Sequence, residues 1–283
     1  MFKLKNESCL GYDELTHSFV FDGLDNKPKK LTSRAFPIIF GKSKWDSIGK
    51  GVLDRCGMLV KEEIDPYYMV RGEIGELLVY DHIHAMYKRA NQQAVMKRFT
   101  PALENYDMFS SNPKFGGVVD IGISKPQRAV VEVKSKSEKD IQWIIEKNQP
   151  PIEEVMQGKF LARLSKTDRL LMAYVFFTPK QETDIKNMMN AGETDITQIM
   201  DGLSLKHTDV RIEIVKHNVY AEEMDEDMEF AYKAYMRKIE SKSVASVFFN
   251  PEEVAYLIRV LEKTKPSSAK KINVTVSEDD LPF

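Results

Sequence analysis

The sequence predicts an α/β fold of the α+β kind, in which helices flank a central mixed β-sheet. Two observations lead to this fold class. Helical periodicity at residues 71–90 and 153–164 alternates along the chain with apolar runs at 117–123, 129–135 and 170–178, which have the length of strands. The first two runs are joined by a short turn, Ser-Lys-Pro-Gln-Arg, as in a β-hairpin. The hairpin strands are antiparallel, and a strand reached through a helix can pair in parallel with them, so we expect a mixed sheet.

Each element has its own signal. Residues 41–59 predict a loop and then a short helix, and residues 71–90 have the apolar spacing of a long amphipathic helix. Pro150 and Pro151 precede the helix at 153–164. The later elements are an alternating strand at 210–215, a helix at 223–241 and a helix that begins at Asn250-Pro251.

Length and charge set further bounds. The 283 residues predict one domain over 1–265, with an N-terminal extension and a core at about 36–220, followed by a flexible acidic tail at 266–283. The net charge of -2 gives no bulk attraction to nucleic acid or to an anionic membrane. A nucleic-acid site would therefore need a local basic groove.

The compartment that we expect is the cytoplasm. The N-terminal residues lack the apolar stretch of a signal peptide, and the longest apolar run, residues 170–177, is too short to span a bilayer. The two cysteines, Cys9 and Cys56, are too few for a disulfide framework or a zinc ribbon.

The strand A-V-V-E-V-K-S-K-S, residues 129–137, carries charge within an apolar run. Glu132 and Lys134 are two residues apart, so they point to the same face of the strand. A hairpin brings Asp120, at the end of the preceding apolar run, close to Glu132. Clustered carboxylates repel each other and are costly to desolvate, and a divalent cation resolves both problems. A salt-bridged Glu–Lys pair on a solvated face explains the same triplet without a metal.

Two further polar residues lie on apolar helix faces. Glu76 shares a helical face with Tyr80 and Ile83, which makes it a third carboxylate near the hairpin, with Glu73 as the alternative. Gln157 lies on the apolar stripe of the helix at 153–164, so its amide faces inward. Oxygen ligands of this kind suit Mg²⁺ or Mn²⁺, and Lys134 is placed to orient an attacking water and offset transition-state charge.

The order and spacing of these residues resemble the PD-(D/E)XK nuclease superfamily, and within it the phage-type alkaline exonucleases of the lambda exonuclease and YqaJ group. The residues that carry the resemblance, within about 36–178, are Gly41-Lys42-Ser43-Lys44-Trp45, Arg71-Gly72 with Glu76, Asp120, Glu132 with Lys134, and Gln157. The sequence departs from the superfamily pattern at Val119, where the name of the superfamily implies proline.

The resemblance implies a restriction-endonuclease-like core and a set of roles. Glu76, Asp120, Glu132 and the carbonyl of Val133 would be metal ligands for Mg²⁺ or Mn²⁺. Lys134 would be the catalytic lysine, and Gln157 would support the site. These roles define a hydrolase: a phage-encoded DNA exonuclease that acts on duplex ends in recombination. An endonuclease or junction resolvase of the same fold, and a nuclease-like protein without catalysis that binds host repair factors, are the alternatives.

The resemblance also suggests partners. Arg34, Ser43 and Lys44 are candidate contacts to a DNA phosphate. For Trp45 we expect that the ring anchors its loop in the core, with base stacking as the alternative. An annealing protein and a homotrimeric assembly are further expectations from the family.

The chain ends in Ser-Glu-Asp-Asp-Leu-Pro-Phe, which resembles the C-terminal tip of bacterial single-stranded DNA-binding proteins. An apolar ring beside acidic groups fits a small pocket rimmed by Arg or Lys on a host replication or repair protein. The residues predicted to dock are Asp279, Asp280, Leu281, Pro282 and Phe283. The tail could instead fold back on the enzyme's own basic groove, or serve only as a solvating segment.

Overall fold

The structure is a computed structural model that describes residues 2–21, 30–61 and 63–264. The predicted tail at 266–283, with its docking residues, lies outside the described residues. The strands are Leu10–Asp13 (β1), Ser18–Phe21 (β2), Leu31–Thr32 (β3), Val95–Arg98 (β4), Phe115–Gly116 (β5), Ile121–Lys125 (β6), Ala129–Ser137 (β7), Arg169–Phe177 (β8), Arg211–Asn218 (β9) and Ser243–Ala245 (β10).

The helices lie between and after these strands. They are Ala35–Ile39 (α1), Ile48–Arg55 (α2), Pro66–Arg89 (α3), Ile152–Leu164 (α4), Pro179–Asn190 (α5), Ile196–Gly202 (α6), Ala221–Glu240 (α7) and Pro251–Thr264 (α8). Within the described part of the chain, none of them combines the length and apolar character that a membrane span needs.

The chain divides into two compact units, and the first comprises Met1–Leu31, Pro37–Glu62 and Glu229–Phe283. In it β1, β2 and β10 form an antiparallel sheet in the order β1-β2-β10. Phe19 of β2 is fully buried and meets the edge of the Phe249 ring at a centroid distance of 5.4 Å. A small aromatic core therefore holds this sheet.

The second unit comprises Thr32–Phe36 and Glu63–Met228, and it contains a five-stranded sheet in the order β4-β6-β7-β8-β9. The β7–β8 pair is parallel and the other three pairs are antiparallel, so the sheet is mixed. This sheet with its helices confirms the predicted fold class. That the two units belong to one domain over 1–265 stays a prediction.

Helices cover both faces of the central strands β7 and β8. On one face, Ile74 and Leu78 of α3 share a buried cluster with Val131 and Val133 of β7. Helix α3 comes unusually close at Gly75, where an added Cβ would lie 2.1 Å from the Ser135 Oγ. This close approach also places Glu76, the next residue of α3, near enough to Glu132 for their charges to interact.

On the other face, α4 packs on the same two strands. An added Cβ at Gly158 would lie 2.8 Å from the Leu170 side chain, so a larger residue here would have to displace that side chain. Because side chains alternate along a strand, the residues of β7 that face α4 are the even-numbered ones, including Glu132 and Lys134.

Most of the predicted elements are confirmed, with two corrections at their ends. The helix predicted at 71–90 is α3, and it begins earlier because the Asp65 carboxylate accepts the Tyr67 N–H at 3.0 Å and Pro66 occupies the first turn. The strand predicted at 117–123 begins only at Ile121. Gly117, with φ 155°, instead donates its N–H to Asp107 at 3.3 Å, which keeps the segment in a loop.

Candidate active site

Strand β7 presents a buried glutamate to the α4 side of the sheet. The Glu132 side chain is only 7% exposed, and its Oε1 accepts a hydrogen bond from Lys134 Nζ at 2.8 Å. Its second oxygen, Oε2, is buried and has no hydrogen-bond partner among the described residues. A buried carboxylate oxygen without a donor is costly, so this atom marks a place where a cation or a donor group belongs.

Asp120 comes directly before β6 and faces the same point of β7. Its Oδ2 accepts the backbone N–H of Val133 at 2.7 Å. Burial raises the pKa of Asp120 well above its ordinary value, and the negative charges of Glu132 and Glu76 raise it further. The hairpin that the sequence predicts does bring the Asp120 and Glu132 carboxylates together.

Glu76 enters from the first half of α3. Its side chain is 17% exposed, and its Oε2 accepts a hydrogen bond from Arg98 of β4 at 3.1 Å. Burial raises the pKa of Glu76 to about 7; Arg98 opposes this change, while Glu73 and Glu132 add to it. The predicted partial burial of Glu76 is confirmed, and the carboxylate that interacts with both Asp120 and Glu132 is Glu76 rather than Glu73.

Lys134 lies between strand and helix. Its Nζ donates to Glu132 Oε1 at 2.8 Å and to Gln157 Oε1 of α4 at 3.2 Å. Burial alone would lower the pKa of Lys134, but the charges of Glu132 and Asp120 raise it above its ordinary value. Lys134 is therefore a fixed ammonium ion, and among the described residues its third N–H has no partner.

The donor set suits a divalent cation in its chemistry. The negative charge of Glu132 raises the pKa of both Glu76 and Asp120, and a cation between the carboxylates would replace this repulsion with attraction. As placed, however, no three His, Cys, Asp or Glu side chains of the described residues already surround one point as a metal site. Arg98 and Lys134 supply positive charge to Glu76 and Glu132 instead, and the orphaned Glu132 Oε2 is an oxygen that would be available to an ion.

The predicted site residues of the second unit thus fall into one cluster. Glu76, Asp120, Glu132, Lys134 and Gln157 are linked by the hydrogen bonds and charge interactions above. Their catalytic and metal-binding roles, and that of the Val133 carbonyl, stay predictions.

The residues predicted to contact DNA are divided between the two units. Arg34 is an exposed residue of the second unit, while Ser43 and Lys44 belong to the first. Ser43 Oγ accepts the N–H groups of Trp45 and Asp46 at 3.3 and 3.2 Å, which fixes the loop. The expectation that Trp45 anchors the loop in the core is wrong: its ring is 74% exposed, with Lys44 Nζ 5.3 Å from its centroid.

Sequence reasoning missed four residues around the cluster. Arg98 binds Glu76, Lys136 forms an ion pair with Glu154 of α4, and the buried Tyr174 hydroxyl on β8 lies near Glu154 and Glu132. The alternation of β7 carries Lys136 to the Glu132 face, and Glu154 precedes Gln157 by one helical turn, so both had a periodic signal. Nothing in the local sequence marks Arg98, because its partner is remote along the chain.

Comparisons with known proteins give the following similarities. No family model matches the sequence, and a search of characterised proteins returns no significant match. Among solved structures, the chain is similar to the alkaline exonuclease LHK-Exo from Laribacter hongkongensis (12% identity, 83% of this chain, 95% of that chain, TM-score 0.43). LHK-Exo in complex with dAMP matches at 14% identity with the same coverage and a TM-score of 0.44. A phage-related exonuclease from Haemophilus somnus 129PT matches at 16% identity, over 75% of this chain and 93% of that chain, with a TM-score of 0.48.

Proposed function

We propose that this protein is a metal-dependent DNA exonuclease that hydrolyses phosphodiester bonds at the ends of duplex DNA. The observation that carries the proposal is the buried cluster in which Glu132 keeps one oxygen without a partner while Lys134 is held between Glu132 and Gln157. The simpler explanation of the E-x-K triplet is a salt bridge on a solvated sheet face. Such a pair would be exposed, whereas Glu132 is buried and interacts with the charges of Asp120 and Glu76.

The residues that would hold Mg²⁺ or Mn²⁺ are Glu76, Asp120 and Glu132, together with the Val133 carbonyl. A bound ion would supply Lewis-acid polarisation of a phosphoryl oxygen and lower the pKa of a water molecule. Asp120 already has one oxygen committed to the Val133 N–H, which keeps the carboxylate and the Val133 peptide in register.

Lys134 has two functions in this proposal. Its positive charge, fixed by the surrounding carboxylates, offsets the negative charge that develops on a phosphate during attack. Its third N–H is available to orient the attacking water or a phosphate oxygen. Gln157 accepts one N–H of Lys134 and so restricts the rotation of the ammonium group.

The wider setting follows the sequence resemblance. DNA ends are the proposed substrate, with Arg34, Ser43 and Lys44 as phosphate contacts. A role in phage recombination, an annealing partner, a trimeric assembly, action in the host cytoplasm, and docking of Asp279–Phe283 on host replication or repair proteins belong to the same proposal.

The test compares linear with covalently closed circular duplex DNA, each incubated with the purified protein in Mg²⁺ or in EDTA. We expect loss of the linear form only, in Mg²⁺ only. Nicking or linearisation of the circle would identify an endonuclease or resolvase instead. If neither form is cleaved in Mg²⁺ or Mn²⁺, the enzyme proposal is wrong, and a binding function would take its place.

A further inference from the structure

The second unit contains a pocket of about 480 Å³ at one end of the central sheet, away from the carboxylate cluster. The turn before β7, the end of α4, the start of β8 and the segment that leads into α7 line this pocket. The basic residues among its lining are Arg128, Arg163, Lys166 and Arg169, and the acidic one is Asp168. For a chain with a net charge of -2, this is a marked local excess of positive charge.

The backbone around the pocket is held in place by Thr167. Its Oγ1 donates to the Arg128 carbonyl at 2.9 Å and accepts the Arg169 N–H at 3.3 Å. The Thr167 side chain is thus the link between the segments that carry these two arginines. The cationic side chains therefore project from a fixed frame rather than from independent loops.

Lys166 occupies a position at which glycine would be the usual residue. It follows the C-cap of α4 with φ 54°, in the left-handed region, and its N–H donates to the Arg163 carbonyl at 2.9 Å. This backbone conformation is less favourable for lysine than for glycine, and the lysine adds an exposed ammonium group to the pocket.

The four cations differ in how far they are already neutralised. Arg163 makes two bonds of 2.6 Å to the Asp225 carboxylate. Arg169 lies 3.9 Å from Asp168, at the limit of an ion pair. Within the part of the chain that the structure describes, Arg128 and Lys166 have no ion pair. The positive charges of these two side chains are therefore not neutralised by an acidic side chain of the described residues.

Helix α4 connects the pocket with the cluster, because Arg163 lines the pocket and Gln157 of the same helix accepts a hydrogen bond from Lys134. Arg128 precedes Glu132 by four residues of extended chain, a separation of about 13 Å. Arg163 follows Gln157 by six residues of helix, about 9 Å. Phosphates of one strand of duplex DNA recur about every 3.4 Å along the helix axis, so a strand bound at the cluster has further phosphates within a few nucleotides at separations of this order.

From these observations we infer that the pocket binds a phosphate group of the DNA backbone a few nucleotides from the bond that is hydrolysed at the carboxylate cluster. This inference rests on the proposed function, and it names a contact that the sequence did not indicate. Arg128 and Lys166 are the residues that meet the phosphate, and Arg163 and Arg169 supply the surrounding positive potential.

A phosphate fits the lining better than an acidic peptide such as the C-terminal tip at 277–283. Such a tip would need apolar walls for its terminal phenylalanine, and the apolar lining consists of Val219 and Ala221, the first of which is buried. The remaining lining is rich in N–H donors, which is the requirement of a phosphate.

The test measures DNA binding separately from cleavage. The double variant Arg128→Gln/Lys166→Gln and a matched control, Lys88→Gln/Lys180→Gln, lose the same charge from exposed positions of the same unit. Binding of a fluorescent 20-base-pair duplex is titrated by anisotropy in EDTA at several salt concentrations. Loss of the contacts to this one phosphate should make the slope of log K against log salt shallower by about 0.9 and weaken binding in 0.1 M salt by roughly ten-fold or more.

The outcomes separate the inference from the function on which it rests. If wild-type protein cleaves linear DNA in Mg²⁺ but the double variant keeps the wild-type slope, the pocket is not a phosphate site and the nuclease proposal stands. If both double variants lose affinity equally, the effect is one of net charge and the inference is wrong. If the double variant binds DNA normally but loses affinity for a labelled peptide of residues 277–283, the pocket is a peptide site. If wild-type protein neither binds nor cleaves DNA, both proposals are wrong.

Discussion

Replacing Glu76 with glutamine should stabilise the protein in the absence of metal, and the gain should grow with pH. In the folded protein the pKa of Glu76 is about 7, compared with an ordinary value of 4.5. The folded state therefore holds the proton more tightly than the unfolded state does. Stability that is present below pH 4.5 is lost as the pH rises towards 7, because the carboxylate must then ionise in a buried place beside Glu73 and Glu132.

The magnitude follows from the two pKa values. Each pKa unit corresponds to about 1.4 kcal/mol, so complete ionisation of Glu76 costs the folded state about 3 kcal/mol. At pH 5.5 only about 1 kcal/mol of this cost is present, because the carboxyl is still largely protonated in the folded protein. The pKa already includes the attraction of Arg98, which a glutamine side chain would partly retain as a hydrogen bond.

The assay is urea unfolding of wild-type protein and Glu76→Gln in EDTA at pH 5.5 and pH 8.5. We expect the variant to be more stable by about 3 kcal/mol at pH 8.5 and by about 1 kcal/mol at pH 5.5. The control is Asp81→Asn, which removes an exposed carboxylate from the same helix and should change stability by the same small amount at both values. An equal effect of Glu76→Gln at both pH values would refute the buried, repelled state of this carboxylate.

The remaining predictions concern the support of the site, the packing of α3 and the tail. Gln157→Ala should lower kcat for linear duplex DNA by about ten-fold with little change in the unfolding midpoint, because the Lys134 ammonium group loses a hydrogen-bond partner. An unchanged kcat would show that Gln157 does not support catalysis. Gly75→Ala should destabilise by about 1–3 kcal/mol because the added methyl meets the Ser135 Oγ, whereas Gly72→Ala, with open space around it, should stabilise by up to about 1 kcal/mol. Thermal unfolding measures the stability of both variants. Destabilisation by Gly72→Ala as well as by Gly75→Ala would contradict the expected gain in helix propensity at position 72. Deletion of Asp280–Phe283 should abolish pull-down of host proteins that recognise such tips while cleavage persists, and partner binding that survives the deletion would contradict docking.

The parts of the fold that the sequence predicted are those with a strong local period. The apolar runs of β7 and β8 and the amphipathic stripes of α3 and α4 fix both the element and the face that it buries. Strands β1 and β2 escaped prediction because each is only four residues long, and β10, the second partner of β2, lies more than two hundred residues further along. Pairings of that sequence separation leave no local signal.

The same distinction holds within the candidate site. Alternation along one strand placed Lys134 beside Glu132, and the helical stripe placed Gln157 inward, so those two contacts could be predicted. The Arg98–Glu76 pair and the commitment of Asp120 to the Val133 N–H depend on how the loop before β6 enters the sheet. Trp45 shows the reverse error: the prediction makes it a core anchor, but its ring is exposed, and hydrogen bonds to Ser43 hold that loop.

The most direct test of the central claim compares Lys134→Ala with Lys136→Ala. The two lysines lie on one face of β7, and each pairs with a glutamate, but only Lys134 joins the carboxylate cluster to Gln157. Single-turnover degradation of linear duplex DNA in Mg²⁺ should fall by about 10²–10³-fold in Lys134→Ala and stay within a few-fold of wild type in Lys136→Ala. Equal rates for wild type and Lys134→Ala, with both proteins folded, would contradict the assignment of this cluster as the catalytic site.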